Sequence, residues 1–147
     1  MRYASRRERA RSPIRRVALP LVVALALTGS SVAAPPEGLY VICHPSVSIT
    51  PNDLRDVFLG EKQFAGPVRL LPADNAAARE IFLEKVLRMD IAKYLTAWTK
   101  KSFRDGVNPP ALSNSDAEAL EYVRRAPGRC SYITTAPGPG VYVVAAY

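Results

Sequence analysis

LLPADNAAAREIF, Leu70–Phe82, is the stretch on which the fold turns. The apolar run Val68–Leu71 reads as the end of a strand. Asp74 and Asn75 are residue types that cap helix N-termini. The run beyond them reads as a helix whose first turn is Ala76-Ala77-Ala78. A strand feeding a helix is the repeating unit of α/β domains. Its helix start, with unpaired N–H groups and a positive dipole end, is a ready place for an anion. Here that start offers three methyl groups. The stretch therefore reads as a binding turn, the remnant of one, or simply a helix start.

Upstream, the charge is concentrated at one end. Residues 2–16 carry seven arginines against the single acid Glu8, and the 11-residue apolar run Val17–Leu27 follows. That run is too short to span a bilayer, which takes about 20 residues. The small residues of TGSSVAA come next. This is the layout of a secretory signal peptide, with cleavage expected after Ala33. A membrane anchor or a basic arm is the other reading of the same segment. Cleavage would remove seven of the 20 basic residues and one of the 13 acids, leaving 13 against 12. The electrostatic case for a nucleic-acid partner then disappears with the leader.

About 114 residues remain, enough for one small domain. Residues 34–39 read as a short leader and 40–147 as the domain. Cys43 and Cys130 are the only cysteines. An even count in an exported chain favours a disulfide. Closing a loop of that length contributes about 4–5 kcal/mol in the chain-entropy account. Two buried thiols acting as small hydrophobes are the alternative.

Along the domain, Gly38–Pro45 is β-rich and ends at proline. Thr50 and Pro51 open a helix, Asp53 stands at the capping-box position, and Gly60 stops it. Leu54, Val57 and Phe58 form its apolar face. Pro67–Leu71 reads as the second strand. The helix after the alanines runs to about Arg88, with Ala78, Ile81, Phe82 and Val86 inward. Asp90 caps another helix, with Ile91, Leu95, Trp98 and Ser102 on one face. Residues 104–114 read as a turn-rich link. Ser115 and Glu118 form a capping box before a helix that turns Leu120 and Val123 inward. Cys130–Thr135 and Val141–Tyr147 are the last strands. The order β-α-β-α-α-α-β-β predicts an α/β domain with a small, partly parallel sheet and packed helices.

These elements, in this order, resemble the phosphate-type substrate-binding proteins of ABC transporters. SITPNDLRDVFLGE resembles that family's Leu-x-x-Ile-Phe-x-Gly-Lys stretch, and PADNAAAREIF falls at its Ser-Gly-Thr-Arg turn. YLTAWTKKSFRDGVNPP is similar to its Trp…Phe-x-Gly…Pro segment. SDAEALEYVRRAPGRCSYI is similar to its helix followed by Pro-Gly-x-Ile-Gly-Tyr. The resemblance covers about residues 40–146, half of a two-lobed binding protein. It implies a single lobe of a type II periplasmic-binding-protein-like fold, exported to the periplasm or secreted. It also implies that the strands of Cys43 and Cys130 share one sheet.

The resemblance places the family's anion turn at Asn75, Ala76, Ala77, Ala78 and Arg79. Pro72 stands for the family's Arg, Ala76 for the Ser, Ala77 for the Gly and Ala78 for the Thr. Each lost charge-assisted hydrogen bond is worth roughly 1.5–3 kcal/mol. A weak, degenerate site is therefore expected, resting on free N–H groups and Arg79. The expected function is a solute-binding-like protein with phosphate, a membrane permease or another envelope protein as candidate partners. The alternative is an interaction module that keeps the fold without a small ligand, with a homodimer among its forms. No cofactor, metal or catalytic residues are expected. His44, the only histidine, sits beside Pro45 and reads as a surface or hydrogen-bonded residue. Asp53 and Asp56 read as capping and solvated acids. Lys100, Lys101, Arg104, Arg124, Arg125 and Arg129 read as solvated charge rather than a basic patch.

N-terminal sequencing of the exported protein is expected to begin at Ala34 or within a few residues of it. An intact Met1 in the exported form would refute cleavage.

Overall fold

The computed structural model describes residues 38–147. The expected leader cleavage lies outside the described residues. Five strands form one mixed sheet: β1 (Tyr40–Cys43), β4 (Leu71–Asn75), β5 (Ala111–Ser113), β6 (Arg129–Ile133) and β7 (Tyr142–Ala146). Their spatial order is β5-β4-β6-β1-β7. Strand β4 runs parallel to both β5 and β6, and β1 runs antiparallel to β6 and β7. The α/β class and the partly parallel sheet agree with the sequence reading.

Side-chain alternation on β1 sorts the core into two layers. Val41 and Cys43 pack with Leu54, Phe58, Phe82, Tyr94 and Trp98. Ile42 packs on the opposite face with Ala119, Val123 and Ile133. Adjacent residues of a strand point to opposite faces, so a central strand covered on both sides must be apolar at every position. Helices α1 (Leu54–Phe58), α2 (Arg79–Phe82) and α3 (Ile91–Asp105) supply the first layer, and α4 (Asp116–Arg125) the second. In the first layer Phe82 stacks on Tyr132 with ring centres 3.9 Å apart, and Phe58 meets Phe82 at 4.7 Å. Each such aromatic contact adds about 0.5–1.5 kcal/mol beyond the area buried.

Local signals hold at most element ends. A short 3-10 turn, Pro51–Asp53, precedes α1. The Asp53 carboxylate accepts from the Thr50 N–H at 2.7 Å and its hydroxyl at 2.8 Å. Lys62 Nζ lies 2.6 Å from Asp53, and these hydrogen bonds hold the carboxyl down at about 2. Gly60 is required twice over. Its φ is +71°, and a Cβ there would lie 2.7 Å from the Trp98 ring. Asp90 accepts from Lys93 N, and Ser115 from Glu118 N.

Four expectations are corrected. The Pro67–Leu71 strand is two pieces. Val68–Arg69 (β3) pairs with Phe64–Ala65 (β2) in a separate hairpin, and the core strand begins at Leu71. The link before Ser115 contains β5, three residues held by parallel pairing to β4. The face of α3 is rotated: Tyr94, Trp98 and Lys101 are buried, while Ile91 and Leu95 are 40% and 51% exposed. Leu39, assigned to the leader, is fully buried and exchanges two backbone hydrogen bonds with Tyr147. The helix after the alanines ends in a π-helical turn, Leu83–Leu87, with Arg88 left-handed at φ 52°. Arg55 Nη1 donates to the Leu87 carbonyl there.

Cys43 and Cys130 are bonded to each other. They are cross-strand partners in the β1–β6 register. His44 N donates to Arg129 O one pair further on, so the cysteines occupy a non-hydrogen-bonded pair, where side chains come closest. Export and an even cysteine count only favoured the bridge; the antiparallel register puts the two sulfurs face to face.

The Cys43→Ala/Cys130→Ala double variant is expected to lose about 2–5 kcal/mol, the usual cost of removing a native bridge from a small domain. Urea unfolding of both proteins measures it. A loss within the noise of the extrapolation would show that the bridge adds nothing to the β1–β6 pairing.

Candidate functional site

The carboxyl ends of parallel strands β4, β5 and β6 converge where the anion turn was expected. Asn75 pairs with Ser113 across β4 and β5. The structure brings Asn75, Ala76, Ala77, Ala78 and Arg79 into one turn, but their roles differ from the expected ones. Asp74 and Asn75 are buried strand residues, not helix caps, and α2 starts at Arg79 after the alanines. Side chains deeper in the domain need these two polar groups, so β4 continues past the point where its composition turns polar.

The turn's N–H groups are spent internally. Ala76 N donates to Ser113 O at 2.9 Å, Ala77 N to Asn75 Oδ1 at 3.1 Å and Ala78 N to Asn75 O at 3.0 Å. The expectation of free amides at these three positions is corrected. Ala76 and Ala77 are exposed, but Ala78 is 1% exposed and belongs to the core. A hydroxyl at position 78 would enter the apolar layer rather than the turn. Arg79 is half-buried, and its charge favours the ionised form of Asp74.

Asn75 and Asp116 hold the three strand ends together. Asn75 Nδ2 donates to Asp116 Oδ1 at 2.7 Å and to Tyr132 O at 3.0 Å. Asp116 Oδ2 accepts from Thr134 Oγ1 at 2.8 Å, Thr134 N at 2.9 Å and Thr135 N at 3.0 Å. Burial pushes the Asp116 carboxyl up, but these donors outweigh it and the carboxyl lies below its usual range. Ser131 Oγ donates to Ala73 O at 2.9 Å. The side chains of Asn75, Asp116, Ser131 and Thr134 are engaged with one another or with the backbone, which leaves Arg79 as the polar side chain of the turn with no hydrogen-bond partner among the described residues.

Beneath them lies a cluster that the sequence reading missed. Tyr94 Oη donates to Asp74 at 3.0 and 3.1 Å, and Tyr132 Oη donates to the same carboxylate at 3.0 Å. Asp74 is 5% exposed. Burial pushes its carboxyl above the ordinary range, while the two phenols and Arg79 pull it back. Burial and the adjacent carboxylate push both phenols far above their ordinary value. The available signal was weak: Tyr94 lies one helical turn before Trp98, and Asp74 follows an apolar run directly.

The remaining candidates are structural. His44 Nδ1 lies 2.9 Å from Ser46 Oγ and accepts from Ser46 N, as a hydrogen-bonded histidine should. Lys101 is buried and ion-paired to Glu61 at 2.9 Å and Asp105 at 3.6 Å, which corrects its reading as solvated charge. Arg104 pairs with Asp105, and Arg124 donates to Pro139 O at 2.7 Å. Among the described residues no group of three His, Cys, Asp or Glu side chains is placed to hold a metal ion. Among them, too, no helix is long and apolar enough to cross a membrane. Among the described residues, clefts of about 340 and 470 Å³ open elsewhere, and neither of these is lined by residues 75–79.

No protein-family description matches this chain, and no curated protein matches it. Among solved structures it is similar to PstS from Borrelia burgdorferi, at 15% identity and a TM-score of 0.48. The similarity covers 65% of this chain and 40% of that one, so the chain spans less than half the length of that protein. Likeness at this level assigns neither a family nor a ligand.

Asp74→Asn removes one titration from the cluster. A carboxyl raised in the folded state contributes stability fully below its unfolded value near 3.8, and loses it as pH rises through the folded value. The stability of the native protein relative to Asp74→Asn is therefore expected to fall as pH rises from about 4 toward neutrality. Tyr94→Phe and Tyr132→Phe are each expected to cost about 1.5–3 kcal/mol at neutral pH, as lost bonds to a charged group. Urea unfolding across pH checks both, and a relative stability that rises with pH would contradict the assignment.

Proposed function

We propose that this chain is an exported, non-catalytic domain of the solute-binding type. In this reading it is a single lobe of a type II periplasmic-binding-protein-like fold whose phosphate-type turn has closed on itself. The observation that carries the reading is the internal use of the Ala76, Ala77 and Ala78 N–H groups. A free anion must shed strongly bound water to bind. A turn with no free N–H at these three positions, and only the half-buried Arg79 as a side-chain donor, offers little in return. A membrane permease or another envelope protein is the partner such a domain would serve.

One observation favours a second reading, an interaction module. Among the described residues strand β7 is an edge of the sheet, with one bulge where it pairs with β1, and Val141–Tyr147 contains neither a charged side chain nor proline. Tyr142 and Val143 are 43% and 39% exposed. Edge strands are normally blunted by lysine, proline or similar devices. An edge without charged side chains or proline accepts a strand from an envelope protein or from a second copy of the chain.

Calorimetry with phosphate and light scattering on the same sample separate the readings. No phosphate binding tighter than about millimolar is expected, and Ala76→Ser is expected to leave that unchanged because the amides stay engaged. Micromolar phosphate binding would overturn the closed-turn reading. A dimer that Val143→Lys dissolves would favour the interaction module.

A further inference from the structure

The smaller cleft, of about 340 Å³, lies at the opposite end of β4 from the alanine turn, where Leu71 and Pro72 begin the strand. Four residues of strand separate the two places, about 13 Å at the usual rise. Its apolar lining includes Leu70, which is 4% exposed, and Trp98, 6% exposed. Trp98 is held by its Nε1–H donating to Phe58 O at 3.2 Å, so the ring is fixed before any ligand arrives. Gly60 keeps the space beside the ring clear, since any Cβ would strike it. Pro109 and Pro110 contribute a stretch of wall with restricted backbone.

The charges around this cleft have one sign. Among the described residues Lys62 and Arg69 line it, and no acidic residue does. Lys62 is neutralised by Asp53 at 2.6 Å. Arg69 is exposed and, among the described residues, takes part in no ion pair. The larger cleft differs: Glu118, Glu121, Arg125 and Arg129 all line it, and its charges balance.

We propose that this cleft binds a small carboxylate with an apolar body, the carboxylate meeting Arg69 and the body lying against Trp98 and Leu70. A guanidinium matches a carboxylate with two parallel hydrogen bonds. Small-molecule sites need apolar wall together with a few placed polar groups, and the lining here supplies both. The proposal concerns the amino end of β4, so a failure at the alanine turn leaves it untouched.

Trp98 is the only tryptophan in the chain, so its emission reports on this cleft directly. The exported protein is titrated with 3-phenylpropionate, with 3-phenylpropanol as the uncharged analogue and inorganic phosphate as charge without an apolar body. A saturable change with the carboxylate is expected, with binding at least tenfold weaker for the alcohol and none for phosphate. Arg69→Gln is expected to weaken the carboxylate to the level of the alcohol. Arg88→Gln, which removes an exposed charge away from the cleft, is expected to change nothing. No saturable change, equal binding of acid and alcohol, or an Arg69→Gln protein that binds the acid normally would each overturn the proposal.

Discussion

The arrangement depends on a carboxylate that has left water. Asp74 sits at the end of the central parallel strand, 5% exposed, with two phenol hydroxyls aimed at it. An unpaired carboxylate in such a place would be expensive to bury. Tyr94 brings α3 to it and Tyr132 brings β6, so one buried group fixes the positions of three elements. The stacking of Tyr132 on Phe82 ties α2 into the same unit. A network of this kind rigidifies a core only when every member is satisfied. Asp74 accepts three contacts, and the neighbouring Asn75 uses both its amide nitrogen and its oxygen.

That network also accounts for the state of the alanine turn. The chain leaves β4 through Asn75, whose side chain curls back to take the Ala77 N–H. The same residue holds Asp116, and Asp116 gathers Thr134 and Thr135 at the end of β6. A helix start next to converging strand ends is where an anion could lodge. Here the protein supplies its own acceptors: two carbonyls and an amide oxygen take the three N–H groups. Small side chains suit this closed turn, and the methyl of Ala78 packs into the core beneath it.

The smaller cleft lies at the other end of β4, where the hairpin, α3 and the two prolines after it line the space beside Trp98. The two ends of β4 thus differ in physical character. The carboxyl end is polar, buried and self-satisfied. The amino end is open, with apolar and polar walls and Arg69, unpaired among the described residues, at its rim.

The sequence by itself determined the parts whose causes are local. Thr50 with Asp53, Asp90 and Ser115 start helices because a side-chain oxygen three or so positions away can meet an orphan N–H, and Gly60 stops one by taking a positive φ. The α/β class, a partly parallel sheet and the apolar run of β1 follow from periodicity, which needs no partner to be read. What only the tertiary structure decided is the set of pairings between distant residues. Ala111–Ser113 is a strand solely because β4 lies beside it. Asp74 and Asn75 look like caps until the phenols and Asp116 claim them. The inward face of α3 was misread because Tyr94 and Lys101 are polar by composition and buried by partnership, one on Asp74 and the other on Glu61 and Asp105. The alanine turn, which raised the question of a binding site, was legible as a turn without side-chain donors. That its amides are occupied depended on Ser113 and Asn75 reaching them, and contacts of that kind have no signature in spacing.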